Sequence, residues 1–160
     1  MHQLLVLRHA KADRPPGVAD RDRPLAETGR KHAAAMRDAM QRLGLAPDLV
    51  LVSPSRRTRQ TLEALEPWDD TPLTEMVEGL YLADCAQMIA VLRNVPETVR
   101  TVLLIGHNPG VHELVNTIGG KKQDGFPTCT LAELTILDRW RDLPTGGRLA
   151  RLVSRRHTLP

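Results

Sequence analysis

The sequence is poor in the residues that most often announce a function. It has two cysteines, Cys85 and Cys129, too few for a disulfide framework and without the C-x-x-C spacing of a zinc site. A reduced, cytoplasmic setting is the expectation. Its aromatics are Trp68, Tyr81, Phe126 and Trp140, which leaves almost no platforms on which bases could stack. The longest purely apolar run near the N-terminus is Leu4-Leu5-Val6-Leu7, too short for a signal-peptide core or a membrane span. Internal repeats and low-complexity linkers are absent. Neither sign of charge dominates: 22 Lys+Arg against 19 Asp+Glu leave +3, weak ground for a polyanion partner. Nucleic acid and membrane are therefore not expected among the partners.

What is present is an ordinary globular composition. In 160 residues, 41% apolar and 26% charged, there is material for one domain with its own core, and not for two domains with a large lid. The expected domain is 1–160, ending in a basic tail from about residue 154.

Hydrophobic periodicity divides the chain into alternating strands and helices. His2–Arg8 reads as a buried strand. Leu25–Leu43 reads as a helix, with Gly29, Ala33, Met36, Met40 and Leu43 on one face and Gly44 as its stop. Asp48–Val52 is a second strand, followed by Ser53 as an N-cap, Pro54 at the first helical position and a helix to about Leu65. Pro72–Val77 reads as a strand and Ala83–Val95 as a helix. Arg100–Gly106 is a buried strand and Pro109–Ile118 a short helix. Thr128–Leu137 and Gly147–Val153 alternate and suit an antiparallel pair at a sheet edge. The order predicts a three-layer α/β/α sandwich on a mostly parallel sheet.

Three of the strands end alike, in a cationic or histidine residue followed by a turn. They run into Arg8-His9-Ala10, Ser53-Pro54-Ser55-Arg56-Arg57 and Gly106-His107-Asn108-Pro109-Gly110. Ligands of open α/β sheets bind beyond the carboxyl ends of strands. If the three strands are neighbours, Arg8, His9, Arg57 and His107 share one crevice with two helix N-termini. Two guanidinium groups and two imidazoles suit a dianion, most simply a phosphoryl group.

These motifs resemble those of the histidine phosphatase superfamily, also called phosphoglycerate-mutase-like. Arg8-His9-Ala10 is similar to its Arg-His-Gly signature, with Ala in the third place. Ser53-Pro54-Ser55-Arg56-Arg57-Thr58-Arg59-Gln60-Thr61 looks like its S-P-x-x-R-A-x-Q-T segment, with Thr58 replacing Ala. Gly106-His107-Asn108-Pro109-Gly110 is similar to its second-histidine segment. Arg23-Pro24-Leu25, followed by Gly29, resembles a stretch of the small bacterial phosphohistidine phosphatases of the SixA type. The resemblance spans about residues 3–137 and implies the phosphoglycerate-mutase-like fold.

It also implies roles. His9 would be the nucleophile, because a neutral imidazole can attack phosphorus at pH 7 and pass through a phosphohistidine. Arg8 and Arg57 would clamp non-bridging oxygens, and His107 would donate to the same group as an imidazolium. Arg23 would add a phosphate contact. No metal or cofactor is implied. The proton donor is the weak point: Asn108 follows His107 where some relatives carry Asp. Glu75 and Glu78 lie in the other stretch that supplies an acid, and Glu78 is the better candidate. A phosphorus–nitrogen substrate would relax that demand, since a leaving imidazole can carry its own proton.

The remaining polar residues have plainer readings. Ser53 is a cap, His32 and His112 are helix-surface residues, and Cys85 and Cys129 are small core residues. Arg148, Arg151, Arg155 and Arg156 form a solvated edge strand and tail. The expected activity is that of a metal-independent phosphatase acting on a phosphorylated protein or a small phosphorylated substrate. A phosphomutase is the nearest alternative, disfavoured by the lack of residues for a lid. A phosphoprotein-binding module with poor turnover and a basic nucleic-acid-binding protein are the alternatives from other classes.

Overall fold

The computed structural model describes residues 1–154, and Arg155 and Arg156 of the basic tail lie outside that range. Six strands build one sheet: β1 (His2–Arg8), β2 (Leu49–Val52), β3 (Leu73–Met76), β4 (Thr101–Gly106), β5 (Leu131–Ile136) and β6 (Gly147–Val153), in the order β3-β2-β4-β1-β5-β6. The first four run parallel; β5 is antiparallel to β1 and β6 to β5. The expected antiparallel pair therefore closes one end of a mostly parallel sheet.

Four helices cover the two faces: α1 (Glu27–Leu43), α2 (Arg56–Ala64), α3 (Cys85–Arg93) and α4 (Gly110–Gly119). Alternate residues of the central strands enter opposite cores. Leu4, Val6, Val102 and Leu104 pack with Met88 and Leu92 of α3 and Leu114 and Ile118 of α4. Leu5, Leu7, Leu103 and Ile105 pack with Ala33, Met36 and Met40 of α1. A strand buried on both faces has no place for a polar residue, which is why β1, β2 and β4 are apolar runs and do not alternate. The outer strand β3 shows the converse, with all four residues exposed.

The boundaries follow local chemistry. Gly44 ends α1 in the left-handed conformation, φ 67°, where a side chain would be strained. Leu43, expected on the buried face, is 38% exposed, whereas Met40 before it and Leu45 after it are buried. Asp84 and Gln87 form a reciprocal capping box at the start of α3. That helix buries Met88 and Leu92, leaving Cys85, expected in the core, half-buried at its edge with its thiol near Thr117. Cys129 is fully buried. On β6, Arg151 is tied to Glu133 of β5 by an ion pair of 2.6 Å and is more than a solvated edge charge. No helix among the described residues is long and apolar enough to cross a membrane.

Parallel register brings the ends of the central strands into line. Arg8 of β1 is paired with Gly106 of β4, and Ile105 of β4 with Val52 of β2. The strand ends are stitched onward by His9 N–H to the Gly106 carbonyl and Ser53 N–H to the Ile105 carbonyl, both at 3.2 Å. Arg8-His9, Ser53 and His107 thus emerge side by side at the carboxyl edge of the sheet.

Candidate active site

At that edge lies a cavity of about 360 Å³ bordered by Arg8, His9, Arg23, Arg57 and His107, together with Asp20. Of the residues expected in the site, all but Glu78 meet here. The imidazoles of His9 and His107 have ring centroids 5.4 Å apart.

His9 is buried, and its Nδ1 lies 2.7 Å from the carbonyl of Ala10. A carbonyl only accepts, so Nδ1 carries the proton and Nε2 holds a free electron pair. Burial first, then the cations of Arg57, Arg8 and Arg23, push the ring down to about 4, against the opposing pull of the Ala10 bond. The side chain is therefore a neutral imidazole of defined tautomer at pH 7.

The loop after His9 is held from two sides. Ala10 N–H donates to Thr61 Oγ1 at 3.0 Å, and Thr61 Oγ1 in turn donates to the Arg57 carbonyl at 2.8 Å. On the other side Lys11 lies over the start of α1. A Cβ built on Gly29 would come within 2.1 Å of the Lys11 carbonyl oxygen, so only glycine permits this approach. Leu25 N–H is accepted by Gln60 Oε1 at 2.7 Å. The Gln60 and Thr61 of the second motif are thus tethers that bind α2 to the segments after His9 and before α1, roles the sequence alone did not disclose.

Arg57 lies on the buried face of α2, while Arg56 and Arg59 are exposed, as the motif register requires. Its NH1 donates to the Asp20 carbonyl at 2.7 Å, and its NH2 reaches Asp20 Oδ2 at 3.1 Å and His107 Nδ1 at 3.3 Å. Arg8 NH1 donates to the Phe126 carbonyl at 3.1 Å. The Nε groups of both arginines are buried donors without a hydrogen-bond partner among the described residues. Both guanidinium groups border the cavity, and two fixed cations there suit an anion.

Ser53 corrects an expectation. The cap of α2 is Ser55, whose Oγ accepts from Thr58 N–H, because α2 starts at Arg56 and Pro54 stands outside it. Ser53 is freed to hydrogen-bond His107 Nε2 at 2.8 Å. Since a guanidinium cannot accept, His107 Nδ1 accepts from Arg57, which makes Nε2–H the donor to Ser53. The ring is neutral, not the expected imidazolium: burial first, then His9 and Arg57, push it down to about 3.

Glu78 lies away from this group. Its side chain is exposed and ion-paired with Arg21 at 2.6 Å, which holds its carboxyl below the usual range. An ionised carboxylate locked to arginine is a poor proton donor, and no residue of β3 takes its place at the cavity. Arg23 is in place: its Nε donates to the Asp13 carbonyl at 2.9 Å and its NH1 to Asp20 Oδ1 at 3.1 Å. His112 is no free surface residue. Its Nε2 bonds the Gln123 carbonyl at 2.7 Å and its ring stacks near Phe126, anchoring the segment that carries the Arg8 acceptor.

Two residues carried no sequence signal. Asp20 sat in the charged run Asp20-Arg21-Asp22-Arg23, which reads as surface. Tyr81 donates its hydroxyl to Asp20 Oδ2 and sets its ring edge-on to His107, centroids 5.7 Å apart.

The profile of the Histidine phosphatase superfamily (branch 1) matches residues 4–80, which include Arg8, His9 and Arg57. The chain belongs to the histidine phosphatase superfamily. Among solved structures it is similar to the protein histidine phosphatase SixA complexed with tungstate, with TM-score 0.83 and 27% identity over 96% of this chain and 97% of that one. A SixA-type structure from Agrobacterium tumefaciens gives TM-score 0.84 and 29% identity over 96% and 97%. An uncharacterised protein of Mycobacterium tuberculosis is 33% identical over 88% of this chain and 93% of its own length. Membership carries with it the phosphoglycerate-mutase-like fold and the enzyme class, phosphatase.

Proposed function

We propose that this superfamily member is a metal-independent phosphohistidine phosphatase of the SixA kind, working through a phosphohistidine on His9. One observation carries the reading. His9 is neutral, with its electron pair on Nε2, and it borders the same cavity as the guanidinium groups of Arg8 and Arg57.

In the first step the Nε2 pair forms a bond to phosphorus while the bond to the leaving nitrogen breaks. The leaving imidazole departs neutral, keeping the proton on its far nitrogen. His9 becomes a phosphoimidazolium, its charge delocalised towards the Ala10 carbonyl. Arg8 and Arg57 neutralise the equatorial oxygens, where charge accumulates. A bound dianion also draws a proton onto His107 Nδ1, turning that nitrogen from the acceptor of Arg57 into a donor to the phosphoryl group. In the second step water adds to phosphorus, the bond to Nε2 breaks, and one proton leaves to solvent with the phosphate.

The placement of Glu78 supports a phosphorus–nitrogen substrate over an alkyl phosphate, because an alkoxide leaving group needs a proton that this side chain is badly set to give. A reduced cytoplasmic setting, expected from the two cysteines of the sequence, suits this reading.

Hydrolysis of a phosphohistidine peptide and of p-nitrophenyl phosphate, each with EDTA, by the wild type and His9→Ala tests the reading. Peptide turnover that survives EDTA, exceeds that of the aryl ester and vanishes in the variant is expected. Turnover that persists in His9→Ala would remove His9 as nucleophile. Phosphopeptide binding without turnover would favour a binding module.

A further inference from the structure

Asp20 is an acidic residue inside a phosphate-type cradle, which is the opposite of what an anion site calls for. Its carboxylate occupies donors that a phosphoryl group would use. Oδ1 accepts from Arg23 NH1 and Oδ2 from Arg57 NH2, both at 3.1 Å, and Oδ2 also accepts from the Tyr81 hydroxyl. The main-chain carbonyl of the same residue takes Arg57 NH1 at 2.7 Å. One residue thus meets both forks of Arg57.

We propose that Asp20 is an internal counter-anion of the cradle, competing with phosphate for Arg57 and Arg23 and so hastening product release. The inference rests on the reading of the cavity as a phosphoryl site. It differs from a role for Asp20 in holding its loop, because competition makes the residue act against phosphate binding.

Three features support it. The carboxyl is pushed down to about 2, chiefly by the Tyr81 hydrogen bond and then by Arg23 and Arg57, so it is an anion at any working pH. Its side chain is about 45% exposed, unlike that of Arg57 at 4%, so the carboxylate can swing to water while the guanidinium stays. The backbone bond from Arg57 NH1 would persist when the carboxylate leaves, which keeps the cation in position for the incoming group.

The chemistry gives the competition a purpose. A cradle of Arg8, Arg23 and Arg57 binds inorganic phosphate as well as it binds a phosphorylated substrate, and uniform binding of that sort slows turnover through retained product. A carboxylate that reclaims two of the three cations shortens the time phosphate stays. Between turnovers the same carboxylate screens the cations from one another and keeps Arg57 aligned.

The test is calorimetric titration of the full chain with inorganic phosphate at pH 7.5, for the wild type, Asp20→Asn and Asp20→Glu. Asp20→Asn is expected to bind phosphate about 3- to 10-fold more tightly, a modest gain because the lost ion pair is part-exposed. Asp20→Glu, which restores the charge, is expected to return towards the wild-type affinity. Unchanged or weaker binding by Asp20→Asn would overturn the inference and leave a structural role. Should Asp20→Asn not fold, Tyr81→Phe removes one donor that holds the carboxylate and keeps the ring against His107; tighter phosphate binding supports the proposal and weaker binding overturns it. If the wild type itself does not bind millimolar phosphate, the phosphoryl-site reading fails, and this inference fails with it. Wild-type binding with no gain in the variant defeats this inference alone.

Discussion

Ser53 Oγ and His107 Nε2 are joined by a 2.8 Å hydrogen bond, buried at both ends, that spans the carboxyl ends of β2 and β4. It fixes which ring nitrogen of His107 faces the protein and which faces Arg57 and the cavity. Ser53→Ala leaves a buried N–H without its acceptor, at a cost of about 1–3 kcal/mol. Urea denaturation should show that loss, and kcat/KM for a phosphohistidine peptide should fall with it. A variant of unchanged stability would mean that His107 does not depend on Ser53 for its orientation.

The two imidazoles predict how stability depends on pH. Folding holds His9 at about 4 and His107 at about 3, while the unfolded chain takes up protons near 6.5. Below pH 6.5 the unfolded state binds more protons than the folded one, so stability falls with falling pH until about pH 3, the lower of the two folded values. Above pH 6.5 this contribution is fully present and flat. Thermal midpoints at pH 7.5, 6 and 5 should descend in that order, and His9→Ala should lessen the descent. The acid limb of kcat/KM should lie near 4, well below the ordinary imidazole range.

Gly29→Ala places a methyl group 2.1 Å from the Lys11 carbonyl oxygen, a backbone atom that has no rotamer to escape through. The loop after His9 or the start of α1 must shift. About 1–3 kcal/mol of stability should be lost, together with much of the turnover, since Ala10 holds the His9 tautomer. Ala at the exposed Gly79, which has open space around its Cβ, is the matched control and should change neither.

Arg57→Lys and Glu78→Gln should behave as opposites. Lysine keeps the charge of Arg57 and loses its fork, so it cannot serve Asp20, His107 and a phosphoryl oxygen together. A fall of about 100-fold or more in kcat/KM is expected. Glu78→Gln breaks only the exposed pair with Arg21, and kcat on a phosphohistidine peptide should stay within about twofold. A large loss in Glu78→Gln would restore Glu78 as the proton donor.

The sequence could be read where one residue's surroundings are set by its near neighbours. β1 and β4 were legible because burial on both faces leaves an unbroken apolar run, and α1 because its face repeats at helical spacing up to Met40. The start of α2 was misplaced for a local reason too: Ser53 and Ser55 both precede a helix, and either can cap one. What separates them is tertiary: Ser55 caps the helix, while Ser53 bonds His107, 54 positions away. The edge strand β3 was found in place, yet its full exposure followed from its position at the end of the sheet.

The same division runs through the site. The sequence by itself determined the α/β class and the family, and it singled out Arg8, His9, Arg57 and His107 as the candidates that meet at one cavity, because each sits in a short motif next to a strand or helix end. The tertiary structure alone decided the charge of His107, the tautomer of His9, the removal of Glu78 from the cavity and the entry of Asp20 and Tyr81. Charge and tautomer depend on burial and on which donor comes within hydrogen-bonding reach, about 3 Å. Those distances are set by strand register and loop packing between segments far apart in the chain, and no local pattern of residues encodes them.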